Sequence, residues 1–192
     1  CYLCTNNEKM LSEKYFSTYD LKVGEIIMAK IVEKFKSGIR ISIGNIRGYL
    51  IGAFYHKISK IEAGKEIRVR VVEIDHDAKH IQVTNLSGFL KKENVKIMDD
   101  RSKIKVGESY TGLILKDTAR AFNILFFNHN KGMLLKTASF ESDMISIGGL
   151  KENTVRNFEI ASVKKDKILL RIPNVKISTN LGMIVDAQVS AV

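Results

Sequence analysis

The sequence predicts an all-β chain made of two tandem closed barrels, each of five short strands. Two observations carry this expectation. The run Leu21-Lys22-Val23-Gly24-Glu25 returns downstream as Ile104-Lys105-Val106-Gly107-Glu108, and each opens the same succession of strands and turns. Each succession holds five period-two stretches separated by glycine-bearing or polar turns, in a span so short that an open sheet would expose its edges.

The first copy continues with an apolar-rich strand, Ile26 to Val32, then Ser37-Gly38 and the alternating Ile39-Arg40-Ile41-Ser42-Ile43. A turn at Gly44-Asn45 leads into Arg47-Gly48-Tyr49-Leu50-Ile51. The fourth strand is Val69 to Ile74, and Asp75-His76-Asp77 reads as an Asx-type turn before a last strand, Ile81 to Thr84. The second copy matches it stretch by stretch: Tyr110 to Leu115, Phe122 to Phe126, Lys131 to Leu135, Val155 to Ile160 and Ile168 to Ile172. Gly24 and Gly107 open first strands and Gly48 and Gly132 open third strands, where a tightly coiled barrel needs a residue without a Cβ. Ala53 to Ile61 and Ala138 to Ile145 are read as short helical or irregular connections between the third and fourth strands.

These repeats divide the chain into five parts. Residues 1–20 read as the end of a preceding repeat, 21–86 as the first barrel, 87–103 as a linker, 104–173 as the second barrel, and 174–192 as a linker with the start of a following repeat. The chain is accordingly expected to be a segment of a longer array. Phe89 to Lys103 carries Leu90, Val95, Ile97 and Met98, so it is either a partly packed tie or a solvated linker, with Asp99-Asp100 available to cap a turn. Cys1 and Cys4 form a C-x-x-C without a second cysteine pair, and isolated cysteines of this kind behave as small apolar residues.

Composition narrows the function. The 192 residues are 45% apolar and 27% charged with one proline, which excludes a disordered chain. Lys and Arg number 31 against 21 Asp and Glu, a formal charge of +10 that favours a polyanionic partner. Both barrels share the excess: twelve basic against seven acidic residues from Lys22 to Asn85, and eleven against seven from Lys105 to Pro173. No apolar run approaches the roughly 18 residues that a membrane helix needs, and no membrane is expected among the partners. His56, His76, His80 and His129 are scattered without metal-ligand spacing, and no phosphate-cradling or nucleophile motif occurs. No enzyme activity, catalytic residue, metal or cofactor is therefore expected.

The pattern Val-Gly-Glu, strand, glycine with alternating apolar residues, turn, Gly-Tyr or Gly-Met with Leu, and a strand ending Glu-Ile resembles the S1 RNA-binding domain, an OB-fold barrel. Both copies match over most of their length. The run Phe126-Phe127-Asn128-His129-Asn130-Lys131-Gly132-Met133-Leu134-Leu135-Lys136 further resembles the eukaryotic family of multi-S1 ribosomal-RNA processing proteins, the programmed cell death protein eleven family. The resemblance implies tandem S1-type OB-fold barrels of a pre-rRNA processing and ribosome biogenesis factor in the nucleus and nucleolus. Its partners would be pre-ribosomal RNA, ribosome assembly proteins and neighbouring S1 repeats of the same chain.

The family's RNA-contacting aromatics, His, Asp and Arg carry over poorly. In the first barrel they fall on Ser37, Arg40, Ile51, Asp75 and His80, and in the second on Arg120, Asn123, Leu135, Ala161 and Lys167. Base stacking on an aromatic contributes on the order of 1–3 kcal/mol per base, so its loss leaves charge as the main attraction. The candidate RNA-binding residues are therefore Arg40, Tyr49, Arg68, Arg70, Asp75 and His80 in the first barrel and Arg120, Phe127, Lys131 and Lys167 in the second. Alternation puts Arg40, Arg68 and Arg70 outward, and Phe127 reads as an exposed aromatic. Tyr49 shares the face of Ile51, where it either replaces the missing stacking group or covers core. The rival expectation makes both barrels spacers or protein-docking units, with Ile51 and Leu135 in protein interfaces.

Overall fold

A computed structural model describes residues 17–57, 62–90, 95–136, 149–164 and 167–173. They form two closed five-stranded barrels, as expected from the repeats. The first consists of β1 (Ile26–Phe35), β2 (Gly38–Ile43), β3 (Ile46–Ile51), β4 (Glu66–Asp75) and β5 (His80–Thr84). The second consists of β6 (Ser109–Asp117), β7 (Ala121–Leu125), β8 (Lys131–Leu135), β9 (Val155–Lys164) and β10 (Lys167–Arg171). Around each barrel the neighbours are first, second, third, fifth and fourth strand, and the fourth closes on the first. The third and fifth strands run parallel, and the other pairs antiparallel.

The recurring Val-Gly-Glu explains the closure. Gly24 N–H donates to Val71 O at 2.8 Å, and Val71 N–H donates to Glu25 O at 2.9 Å. In the second barrel Gly107 N–H donates to Ile160 O and Ile160 N–H to Glu108 O, both at 2.8 Å. This reciprocal pair continues the first-to-fourth strand ladder. It needs φ of +90° at Gly24 and +86° at Gly107, a region that a side chain makes costly.

Period-two alternation then fills each interior. Ile39, Ile41 and Ile43 of β2 point inward beside Leu50, Val69, Val71, Ile81 and Val83, while Arg40 and Ser42 point out. Gly48 also faces inward, and a Cβ there would lie 2.9 Å from Ile41 Cγ1. Gly132 stands in the same place, with Leu170 Cδ1 at 2.7 Å. The second interior is more aromatic, with Phe122, Phe126 and Phe158 among its buried residues.

A third core lies between the barrels. Phe54, Val72, Leu86 and Phe89 from the first side meet Leu113, Leu125 and Phe127 from the second. The ring centroids of Phe127 lie 5.0 Å from Phe89 and 5.7 Å from Phe54. Phe127 was expected on the surface, but it is 1% exposed. Alternation correctly places it outside its own barrel, where the first barrel and the short helix α1 (Ser87–Leu90) cover it. Two polar contacts cross the same seam: Asn128 N–H donates to Val72 O at 3.3 Å, and His129 Nε2 lies 2.8 Å from Glu73 Oε2.

The apolar residues among the linker's described part are packed. Met98 is buried in the second core, and Val95 and Ile97 lie against the inter-barrel core. Lys96 O accepts from Thr111 N–H at 3.0 Å, and Asp99 O accepts from the Asn128 side chain at 2.8 Å. Asp100 caps the following 3₁₀ turn, Arg101–Lys103, by accepting from Ser102 N–H at 2.9 Å. The solvated-linker alternative is thus set aside for residues 95–98, while Arg101–Lys103 are exposed. The expected hairpin with Cys1 and Cys4, the connection at 138–145 and the repeat opening at 181–189 lie outside the described residues.

Two predictions follow from this packing. A Cβ at Gly88 would lie 2.5 Å from Val155 Cβ across the seam. Gly88→Ala is therefore expected to part the barrels, and Phe127→Ala to cost about 3–5 kcal/mol, as large-to-small aromatic substitutions in cores do. Calorimetry should show one transition in the parent and two in both variants.

The second concerns Tyr110, whose hydroxyl donates to Glu108 Oε2 at 2.6 Å while Lys96 Nζ sits 2.9 Å from Glu108 Oε1. Burial first, and this bond second, push the Tyr110 pKa from 10.0 up to about 12. Because the folded value is raised, its contribution is whole below pH 10 and is lost as pH rises toward 12. Urea unfolding at pH values across that interval should show a smaller alkaline loss of stability in Tyr110→Phe than in the parent.

Candidate functional site

On the outside of the first barrel, register brings together residues from three strands. Arg40 of β2 stands opposite Tyr49 of β3, Tyr49 opposite Gln82 of β5, and Arg47 opposite His80. The half-buried His80 ring meets Tyr49 edge to face at 5.4 Å, which holds the tyrosine upright on the barrel wall. Tyr49 belongs to this outer row and not to the interior, which Ile46, Gly48 and Leu50 fill from the same strand. Arg40 Nη2 lies 3.2 Å from Glu33 Oε1, an exposed pair that contributes little and leaves the guanidinium accessible.

A second aromatic pair lies on the same β4–β5 hairpin. Tyr19 stacks on His76 with centroids 4.3 Å apart and planes 7° from parallel, yet it is 77% exposed. The 3₁₀ turn Thr18–Asp20 fixes it: Ser17 Oγ accepts from Tyr19 N–H, Asp20 Oδ2 accepts from Ser17 N–H, and Thr18 Oγ1 bonds His76 Nδ1 at 3.0 Å. An aromatic ring is thereby oriented with one face on His76 and the other open. Sequence reasoning missed Tyr19 because the contact that orients it is made with the far hairpin. Lys79, exposed between His76 and His80, adds a cation.

The other expected residues of the first barrel are placed differently. Arg68 is exposed but sits on the β1–β4 wall, opposite Met28, away from the Arg40 row. Arg70 was expected to be exposed and is 2% exposed. It lies on the outer side of β4, paired with Ile26 of β1 and Thr84 of β5, and lines a cleft with Ile26, Met28 and Arg68. Burial first, and the charge of Arg68 second, lower its pKa from the ordinary arginine value. Asp75 turns the hairpin, with Oδ1 accepting from Ala78 N–H at 2.7 Å, as the Asx-turn reading expects.

In the second barrel the matching outer row is Asn123, Met133 and Leu169. Lys131 and Lys167 line one cavity with Asn123 and Met133, so the structure brings these two expected lysines together. Arg120 is exposed at the β6–β7 turn, and Phe127 is withdrawn into the seam. Among the described residues no group of three His, Cys, Asp or Glu could hold a metal ion, and no helix is long and apolar enough to cross a membrane. The first barrel thus offers cations beside two oriented tyrosines, a set suited to phosphates and unstacked bases.

No family model matches the chain. It is 26% identical, over 98% of its length, to a Drosophila melanogaster protein named rRNA biogenesis protein RRP5, of which it spans 13%. The resemblance to multi-S1 ribosomal-RNA processing proteins therefore holds across both barrels. Similar solved structures include a multidomain protein with nucleic acid binding domains from Streptococcus pneumoniae, 9% identical, covering 79% of this chain and 53% of its own, with a TM-score of 0.29. GSP13 from Bacillus subtilis is 18% identical, covering 46% and 74% respectively, with a TM-score of 0.33. The strand order, not these likenesses, establishes the barrels.

The geometry predicts a structural role for Asp75. Asp75→Ala should lower stability to urea by about 1 kcal/mol through loss of one hydrogen bond, whereas Asp75→Asn keeps an acceptor and should unfold close to the parent.

Proposed function

We propose that this chain, two S1-like barrels similar to a stretch of a ribosomal-RNA biogenesis protein, is a non-catalytic RNA-binding part of a ribosome biogenesis factor acting in the nucleolus. The observation that carries the reading is the outer row of Arg40, Tyr49 and Gln82 with His80 against Tyr49. OB-fold barrels bind single strands across this face and the loop between the last two strands. Here that loop also bears the stacked Tyr19 and His76. Tyr49 and Tyr19 stack bases, and Arg40, Arg47 and Lys79 neutralise phosphates. Arg68, Arg120, Lys131 and Lys167 add to the attraction of the +10 chain without forming part of the row. Arg70 and Phe127 act in packing. The whole factor would hold precursor RNA and assembly proteins while other proteins cut, with neighbouring repeats adding contacts.

Binding of this kind is sequence-tolerant and falls steeply with salt, since each phosphate contact releases counterions. Titration of a fluorescent single-stranded RNA at several salt concentrations should give a linear log–log decline. Removing one stacking ring should cost roughly 1–3 kcal/mol, about 5- to 150-fold in Kd, in Tyr49→Ala or Tyr19→Ala. Arg40→Glu should weaken binding and flatten the salt slope. No binding at low salt, or binding indifferent to all three variants, would overturn the reading.

A further inference from the structure

The two barrels present the same face with different chemistry. In the first, the outer row reads Arg40, Tyr49 and Gln82. In the second, Asn123 is followed by Met133 and Leu169, and the β-bulge in β6 turns Leu115 out beside them, 37% exposed. Leu115, Asn123 and Met133 line a cavity whose rim carries Lys131 and Lys167. Among the described residues neither lysine makes an ion pair, although other exposed cations do, as in Lys103 with Asp100 and Arg171 with Glu159. No aromatic ring stands in this row, so it cannot stack a base as the first barrel's can.

We infer that this face of the second barrel binds a short acidic peptide carrying an aliphatic side chain, supplied by an assembly partner. The apolar floor accepts the aliphatic group, and Met133, unbranched and polarisable, adapts to its shape. The two rim lysines pair with carboxylates on either side of it. Charge complementarity selects the occupant: an uncharged peptide leaves both ammonium groups unused, and a nucleic acid gains phosphate contacts while leaving the apolar floor uncovered. The two faces then divide the work, with RNA on one barrel and a protein segment on the other.

The probe is a synthetic fluorescent peptide with one leucine flanked by glutamates, alongside a glutamate-only peptide of equal charge, titrated against the whole chain. The leucine-bearing peptide should bind more tightly, with the glutamate-only control weaker by about tenfold. Methyl NMR of the unaltered chain should show Met133 shifting on peptide addition and not on RNA addition. Met133→Glu and Leu115→Glu should each weaken the peptide while leaving RNA affinity at the Tyr49 face unchanged, a pattern that loss of folding would not produce. Equal binding of the two peptides would overturn the inference, as would an unmoved Met133 signal. A drop in RNA affinity in Met133→Glu would instead mark the face as a second RNA site and overturn it equally.

Discussion

Everything outside the barrels is set by how they close. The reciprocal hydrogen bonds of Gly24 and Val71, and of Gly107 and Ile160, extend the ladder between first and fourth strands and fix its register. Once register is fixed, period two leaves each side chain a single choice of inside or outside, and a slip by one residue would exchange them all. The inward glycines reinforce that choice, because Gly48 and Gly132 sit where the opposing side chains already fill the interior. Arg40, Tyr49 and Gln82 form a row because closure admits one register, not because they are near in sequence.

The second constraint is the seam. Phe127 at the β7–β8 turn enters between Phe54 and Phe89, and Asn128 and His129, both at positive φ, carry the chain around so that they bond Val72 and Glu73. Burial of three phenylalanines contributes on the order of 2–3 kcal/mol each. The described part of the linker adds to this, since Val95, Ile97 and Met98 occupy core positions. The barrels are therefore coupled through packed side chains and not through a tether.

The repeat, the strands, the turn at Asp75 and the glycine positions were legible in the sequence because each is a local pattern written twice. Exposure was not. Alternation told correctly that Arg70 and Phe127 point away from their own interiors, but an outward side chain is exposed only if nothing packs there: the seam covers Phe127, and Arg70 is buried beside Ile26 and Met28. The same reasoning worked for Lys131 and Lys167, which are exposed, and in part for Arg40, which is half-exposed. Tyr19 was invisible for a different reason. Its orientation depends on His76, 57 residues away, and on a capped turn too short to leave a periodic signal.

Coupling changes what modest sites can do. On the proposed reading, one barrel face offering two stacking rings and a few cations would bind weakly by itself, and so would a small apolar cleft flanked by two lysines. When both sit on one packed body, a partner that carries an RNA strand and an acidic segment meets the second site at an effective concentration set by fixed geometry. Loss of the seam would leave each face intact and remove that gain, because a freely jointed pair samples many arrangements in which the two sites cannot be engaged together. The buried phenylalanines, remote from either face, thereby become part of the binding function. On that reading Phe127, buried between the barrels, would contribute to recognition by fixing where the two surfaces stand, and not through contact with a ligand.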